Sequence, residues 1–339
     1  MNVLLLSVAI GLPIATMADI RWPIAATAVL FRADSDFGVD SDPEQIGWIK
    51  FISTPAALHS SVGIVGQVRG LKPGAHALHI HEFGSLETGC SSVGSHFNPT
   101  DQSHPFHIGD LGNIVADSKG VAQIVNNTFR ISLLGRQSII GRAVVVHQGA
   151  DHLPSDSNQS GGPGAKVACG VIGVASLRYE QQFSGPAVPI PTGRSTTSAH
   201  ALLLSNPNLT GQPTKVLGHA RFEYDHVQRI MRITGRVEDI KPGIHGFHLH
   251  ELGSFTITRY CDGTAGHYDV HPREHRQTGD IGNIEADENG VADIDLTDHL
   301  IEFNGIHSVI GRAVVVHKEA SGPRVACGVI GITTEHFQF

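Results

Sequence analysis

His79-Ile80-His81-Glu82-Phe83-Gly84 and Ile140-Gly141-Arg142-Ala143-Val144-Val145-Val146-His147 return, almost letter for letter, as His248-Leu249-His250-Glu251-Leu252-Gly253 and Ile310-Gly311-Arg312-Ala313-Val314-Val315-Val316-His317. In a strand, residues i and i+2 point to one face. His79 and His81 can therefore address one ion from one strand, while His147, ending a neighbouring apolar strand, closes the site. His248, His250 and His317 have the same geometry open to them.

The repetition reaches beyond the histidines. Gly-Asp-x-Gly-Asn-Ile recurs at Gly109 and Gly279, Ala-Asp-x-x-Gly-Val-Ala at Ala116 and Ala286, and Val-Ala-Cys-Gly-Val-Ile-Gly at Val167 and Val325. Most of these blocks recur 169 to 170 residues on, far longer than a solenoid unit, so a whole domain is duplicated. Two domains in 339 residues also suit the usual domain size.

The four cysteines divide into one pair per repeat, Cys90 with Cys169 and Cys261 with Cys327, each read as an intradomain disulfide. The chain opens on an apolar run, Leu4 to Leu12, followed by small residues through Ala18. This resembles a secretory signal at 1–18, although its start lacks a lysine or arginine. Asn-x-Ser/Thr sequons at Asn126, Asn158 and Asn208 suit the same route to a secreted, extracellular protein. No later apolar run approaches the roughly 18 residues of a spanning helix, so no membrane span is expected.

The mature chain divides into a first domain at 22–178, a linker at 179–196 rich in Pro, Gly, Ser and Thr, and a second domain at 197–335. Within each domain the apolar runs are short and β-branched, separated by Gly, Asp and Asn turns, which predicts an antiparallel all-β sandwich or barrel. The formal net charge is −8, and there is no basic stripe, phosphate-binding glycine loop or nucleophile-base motif. Nucleic-acid binding, nucleotide hydrolysis and protease chemistry are accordingly not expected.

Five ordered motifs of the first repeat, His-x-His-Glu-x-Gly, Gly-Cys-x5-His-Phe-Asn-Pro, Gly-Asp-Leu-Gly-Asn, Ile-Gly-Arg-x-x-Val-Val-His and Ala-Cys-Gly-Val-Ile-Gly, resemble copper/zinc superoxide dismutase. The resemblance covers nearly the whole mature chain and implies two tandem Greek-key β-sandwich or barrel domains. It implies copper ligands His79, His81, His96 and His147, with His96 bridging to a zinc held also by His104, His107 and Asp110. It further implies a redox reaction in which copper alternates between Cu(II) and Cu(I) while superoxide is converted to oxygen and hydrogen peroxide. Imidazole suits both copper oxidation states, and its two nitrogens can serve two metals.

Departures from the family pattern separate the repeats. In the first, only Pro105 and Phe106 stand between His104 and His107, and Lys166 occupies the place of an anion-guiding arginine, keeping its charge but not its planar fork of donors. In the second, His248, His250, His267 and His317 retain the copper set and Arg324 the guanidinium. Gln277, however, stands where the first repeat has His107, Ser321 replaces Asp151, and the stretch from His317 to Cys327 is 12 residues shorter than that from His147 to Cys169. The second repeat thus resembles the copper-only branch of the family, with Asp280 read as turn-forming. An irregular zinc site from His267, His271, His275 and Asp280 is the alternative. Copper at two sites and zinc at one, in the first domain, are expected.

His76 and His245 recur three residues before each copper strand pair and are expected to hydrogen-bond structurally. His59, His152, His200, His219, His226, His299, His307 and His336 occur in one repeat only and are read mostly as solvent-facing. The enzyme reading competes with a non-catalytic extracellular metal carrier or structural protein, because a fold does not guarantee an activity. Dimers of the family use a surface near Gly-Val-Ile-Gly, present at Gly170 and Gly328, so either a homodimer or pairing of the two domains within one chain is implied.

Overall fold

The computed structural model describes residues 24–53, 61–151, 163–176, 196–255, 260–270 and 276–333. The leader at 1–18, nearly all of the linker at 179–196, Asn158, His271 and His275 lie outside them. Apart from a four-residue helix, α1 (Pro207–Thr210), and short 3-10 turns, the regular structure is β.

The first barrel comprises β1 (Ile24–Arg32), β2 (Gln45–Ser53), β3 (Val62–Val68), β4 (Gly74–His81), β5 (Asp110–Ala116), β6 (Ala122–Thr128), β7 (Ala143–His147), β8 (Lys166–Val171) and β9 (Gly173–Ser176). Every pairing is antiparallel, and the order β1-β2-β3-β6-β5-β4-β7-β8 returns to β1, closing eight strands. β9 continues the ladder along β1 beyond β8. The pairs β3 with β6 and β4 with β7 join strands that are not consecutive, which makes the connection a Greek key.

The second barrel repeats the plan with β10 (Thr196–Ser205), β11 (Val216–Asp225), β12 (Ile230–Val237), β13 (Gly243–His250), β14 (Gly282–Ala286), β15 (Ala292–Asp298), β16 (Ala313–His317), β17 (Arg324–Val329) and β18 (Gly331–Ile332). Its order runs β14-β13-β16-β17-β10-β11-β12-β15. β14 and β15 are joined at their turn, where Asp287 N–H donates to Val291 O at 2.9 Å, so this barrel is nearly closed.

Strand alternation explains the composition of both barrels. β3 alternates buried and half-buried residues along its length, as a strand with one face on a core must. β7 is buried throughout because both of its faces are covered. Val144 and Val146 enter the barrel core, whereas Ala143 and Val145 pack with Cys90 and Cys169 beneath the loop that their disulfide ties down. In the second barrel Val314 and Val316 face the core, and Ala313 and Val315 meet the Cys261–Cys327 disulfide. A continuous apolar run thus marks a strand sandwiched between barrel core and disulfide loop.

Phe51 and Phe222, both fully buried, are among the largest side chains of the two cores. Replacing either by Ala removes buried surface and leaves a cavity. A loss of about 3–5 kcal/mol is expected for Phe51→Ala or Phe222→Ala in denaturant unfolding, read as a lowered midpoint.

Candidate metal centres

The pleat of β4 sends Leu78 and Ile80 into the core and His79 and His81 to the other face, where all four side chains are buried. β7, paired with β4 in the register His81↔Ala143, delivers His147 at its end. His96 arrives from the disulfide loop through a bridge between His81 and His96. One nitrogen from each of His79, His81, His96 and His147 lies within 4.8 Å of the others.

Hydrogen bonds orient these rings. His81 donates from Nδ1 to Gly94 O at 2.8 Å and His147 from Nδ1 to Gly164 O at 3.0 Å, which turns their Nε2 atoms toward each other at 3.2 Å. His79 donates from Nε2 to Asp151 Oδ2 at 2.8 Å, and its buried Nδ1 has no hydrogen-bond partner. Burial pushes His81 down to about 2 and His147 to about 4, so both rings are neutral at pH 7. Neutral, pre-oriented imidazoles around an orphaned buried nitrogen are what a copper ion requires, and this donor set fits one.

A second cluster adjoins the first. His96, His104, His107 and Asp110 also bring one ligand atom each within 4.8 Å. Asp110 Oδ1 accepts from His96 Nδ1 at 2.9 Å, and Oδ2 lies 3.3 Å from His104 Nδ1 and 3.1 Å from His107 Nδ1. Burial alone would raise the Asp110 carboxyl, but its hydrogen bond from His96 and the facing His107 and His79 bring it down to about 2. Three imidazoles and one carboxylate suit zinc. The short spacing of His104 and His107 does not keep them apart from the cluster. Asp151 spans both clusters, its second oxygen 3.1 Å from His104 Nε2.

In the second barrel, His248, His267 and His317 gather within 4.8 Å, and His250 Nε2 lies 3.2 Å from His317 Nε2. His250 and His317 donate from Nδ1 to Ala265 O and Gly322 O at 2.9 and 2.7 Å, and the buried Nδ1 of His248 has no partner. Burial lowers His250 to about 2 and His248 to about 4, and lowers His317 as well. This set fits copper by the same test. The zinc-type cluster is not reproduced among the described residues. His267 Nδ1 meets Asp280 Oδ1 at 2.6 Å, while Arg276 puts one arm on the Asp280 backbone carbonyl and pairs through the other with the Asp298 carboxylate.

Lys166 and Arg324 flank the two copper-type clusters differently. Among the described residues Lys166 Nζ makes one 3.4 Å hydrogen bond, to Gly94 O, and burial lowers its ammonium pKa. Arg324 donates to Cys261 O at 2.9 Å and to Ala265 O, fixing its guanidinium on the loop that carries His267.

His76 and His245 each span two backbone carbonyls, Lys72 O with His147 O and Lys241 O with His317 O, tying a turn to the strand-end histidine. Two features were not legible in the sequence. His200, read as solvent-facing, is 3% exposed and bonds from Nε2 to His219 Nδ1 at 3.0 Å, because both faces of β10 are covered. Arg142 and Arg312 are buried, stacked 3.8 and 3.6 Å over Phe97 and Tyr268, with one arm each on Glu82 O and Glu251 O. They clamp the segments after His81 and His250 to those after His96 and His267. Their recurrence in both repeats was the available signal.

A family profile described as copper/zinc superoxide dismutase (SODC) matches residues 46–172 and again 216–330. An extracellular Cu-Zn superoxide dismutase of Drosophila melanogaster is 38% identical over 186 residues, 51% of this chain and 99% of that protein. The extracellular Cu-Zn superoxide dismutase of Onchocerca volvulus is 42% identical over 127 residues, 34% of this chain and 63% of that protein's length. Superoxide dismutase [Cu-Zn] 3 of Arabidopsis thaliana is 41% identical over 140 residues, 38% of this chain and 84% of the relative. With the profile matched twice over two barrels that carry the same histidine constellation, the chain belongs to the copper/zinc superoxide dismutase family, its domain present in tandem.

Proposed function

We propose that the chain is a secreted superoxide dismutase with a leader at 1–18, a copper/zinc domain at 22–178, a linker at 179–196 and a copper domain at 197–335. The observation that carries this reading is the pair of clusters, each converging imidazoles with a cation at its edge. His79, His81, His96 and His147 would hold one copper and His248, His250, His267 and His317 the other. His96, His104, His107 and Asp110 would hold zinc. Copper so bound would supply one-electron redox chemistry, by which one superoxide would be oxidised to oxygen and the next, with two protons from solvent, reduced to hydrogen peroxide.

The protein's own contribution is positional and electrostatic. Backbone carbonyls at Gly94, Gly164, Ala265 and Gly322 set the ring tautomers, and the arginine clamps hold the segments on which the rings ride. Lys166 and Arg324 present positive charge where a small anion would approach. Arg324 does so with a fork fixed at two points, whereas Lys166 rests on one weak bond. The second reading, a metal carrier without turnover, is favoured by Lys166 and by the incomplete zinc set of the second barrel.

Elemental analysis of the mature, secreted protein should give near two copper and one zinc per chain, with superoxide dismutation on the same sample. Copper without dismutation selects the carrier reading, and absence of copper after reconstitution rejects both. Because Arg324 is doubly anchored, the His248→Ala, His250→Ala variant should lose more activity than His79→Ala, His81→Ala, and the reverse order contradicts the assignment. In the variant lacking His248 and His250, Lys166→Arg should raise the remaining rate by severalfold, on the order of what one well-placed charge contributes in a partly buried site. An unchanged rate denies Lys166 a guiding role.

A further inference from the structure

The outer faces of β1 and β10 carry large apolar residues that a lone barrel would expose. Val29 and Phe31 are nevertheless buried, in one cluster with Leu202, Leu204 and Val216 of the other barrel. Ile310 fits over Gly141 so closely that a Cβ on that glycine would come within 2.2 Å of its Cγ2. Ile140 stands over Gly311 in the same way, also at 2.2 Å. The backbone reciprocates, with Ile332 N–H donating to Gly141 O at 2.8 Å and Val174 N–H to Gly311 O at 2.7 Å. Since Ile140-Gly141 and Ile310-Gly311 are equivalent in the repeats, the two barrels face each other across an approximate two-fold axis.

The rim of this seam breaks the symmetry. Asp40 N–H donates to Val216 O at 2.8 Å, Val216 N–H to Ser41 O at 2.9 Å, and Lys215 Nζ meets Asp40 Oδ1 at 2.6 Å. The first-repeat counterpart of Lys215 is Glu44, because Arg32 N–H bonds to Glu44 O as Ser205 N–H bonds to Lys215 O. Two copies of the first barrel paired this way would set Asp40 against Glu44. Two copies of the second would leave Lys215 facing a 206–215 loop with no acidic side chain.

We propose that the pairing face of each barrel is taken by the other barrel of the same chain, and that the Asp40–Lys215 contact selects this mixed pair over a second copy. The apolar seam supplies the adhesion. The exposed ion pair, weak in itself, supplies the choice, since like charges oppose one alternative and the other leaves Lys215 without an acidic partner. Joining the barrels in one chain raises their effective concentration and makes the pair the ground state of a monomer.

The test uses the full chain with a protease site inserted between Pro186 and Pro191. Light scattering should give the mass of one chain before cutting and the same mass afterwards, with both halves present one to one. Ile310→Asp should separate the cut halves. Lys215→Glu, an exposed change that spares the fold, should weaken their association by about fivefold at low salt, and adding Asp40→Asn should recover part of that loss. Cut halves of the parent that separate and self-associate overturn the proposal, as does an intact two-chain particle that Ile310→Asp reduces to one chain. Equal loss in Lys215→Glu with and without Asp40→Asn overturns the role given to the ion pair.

Discussion

The period-two pleat of β4 and β13 is the constraint from which the rest follows. It obliges Leu78 and Ile80, or Phe247 and Leu249, to build the core, and in the same stroke directs His79 and His81, or His248 and His250, to the opposite face. A slip of one residue would put imidazoles into the apolar core and core side chains among the site's rings, so site geometry and core packing are specified together. The neighbouring strand, held in register by its own buried valines, then has one place for its terminal histidine.

Imidazoles removed from water lose their charge readily, and the two clusters use this. Burial keeps His81, His147, His248 and His250 neutral, and carbonyl acceptors take the outward N–H groups of His81, His147 and His250. The first barrel adds Asp151, which links one ring of each cluster, and Asp110, which faces three. The second has Ser321 in place of the linking carboxylate and Gln277 in place of His107. Among the described residues, carboxylate oxygens thus face more imidazole rings in the first barrel than in the second.

The same fold surface meets a different demand at the seam. Apolar residues on an outward strand face are a liability for a lone domain, and here the duplicated partner covers them. Glycine at 141 and 311 leaves the gap into which an isoleucine of the opposite barrel fits, and both glycines adopt positive φ, of 73° and 74°, which a side chain would strain.

The sequence by itself determined the duplication and the all-β class, assigned one cysteine pair to each repeat, and put His79 and His81, or His248 and His250, on one strand face near His147 or His317, while the remaining ligand candidates came from the family resemblance. The readings made from residues alone depend on local periodicity and on repetition in register, both visible in one dimension. The short His104–His107 spacing left the second cluster open, and only the folded loop brings both rings to Asp110. The recurrence of Arg142 and Arg312 hinted at a shared role, but the clamp itself and the His200–His219 pair are defined by what other segments lay against them. Which face of a strand is covered is decided by the tertiary structure, since burial is a property of neighbours far apart in the chain.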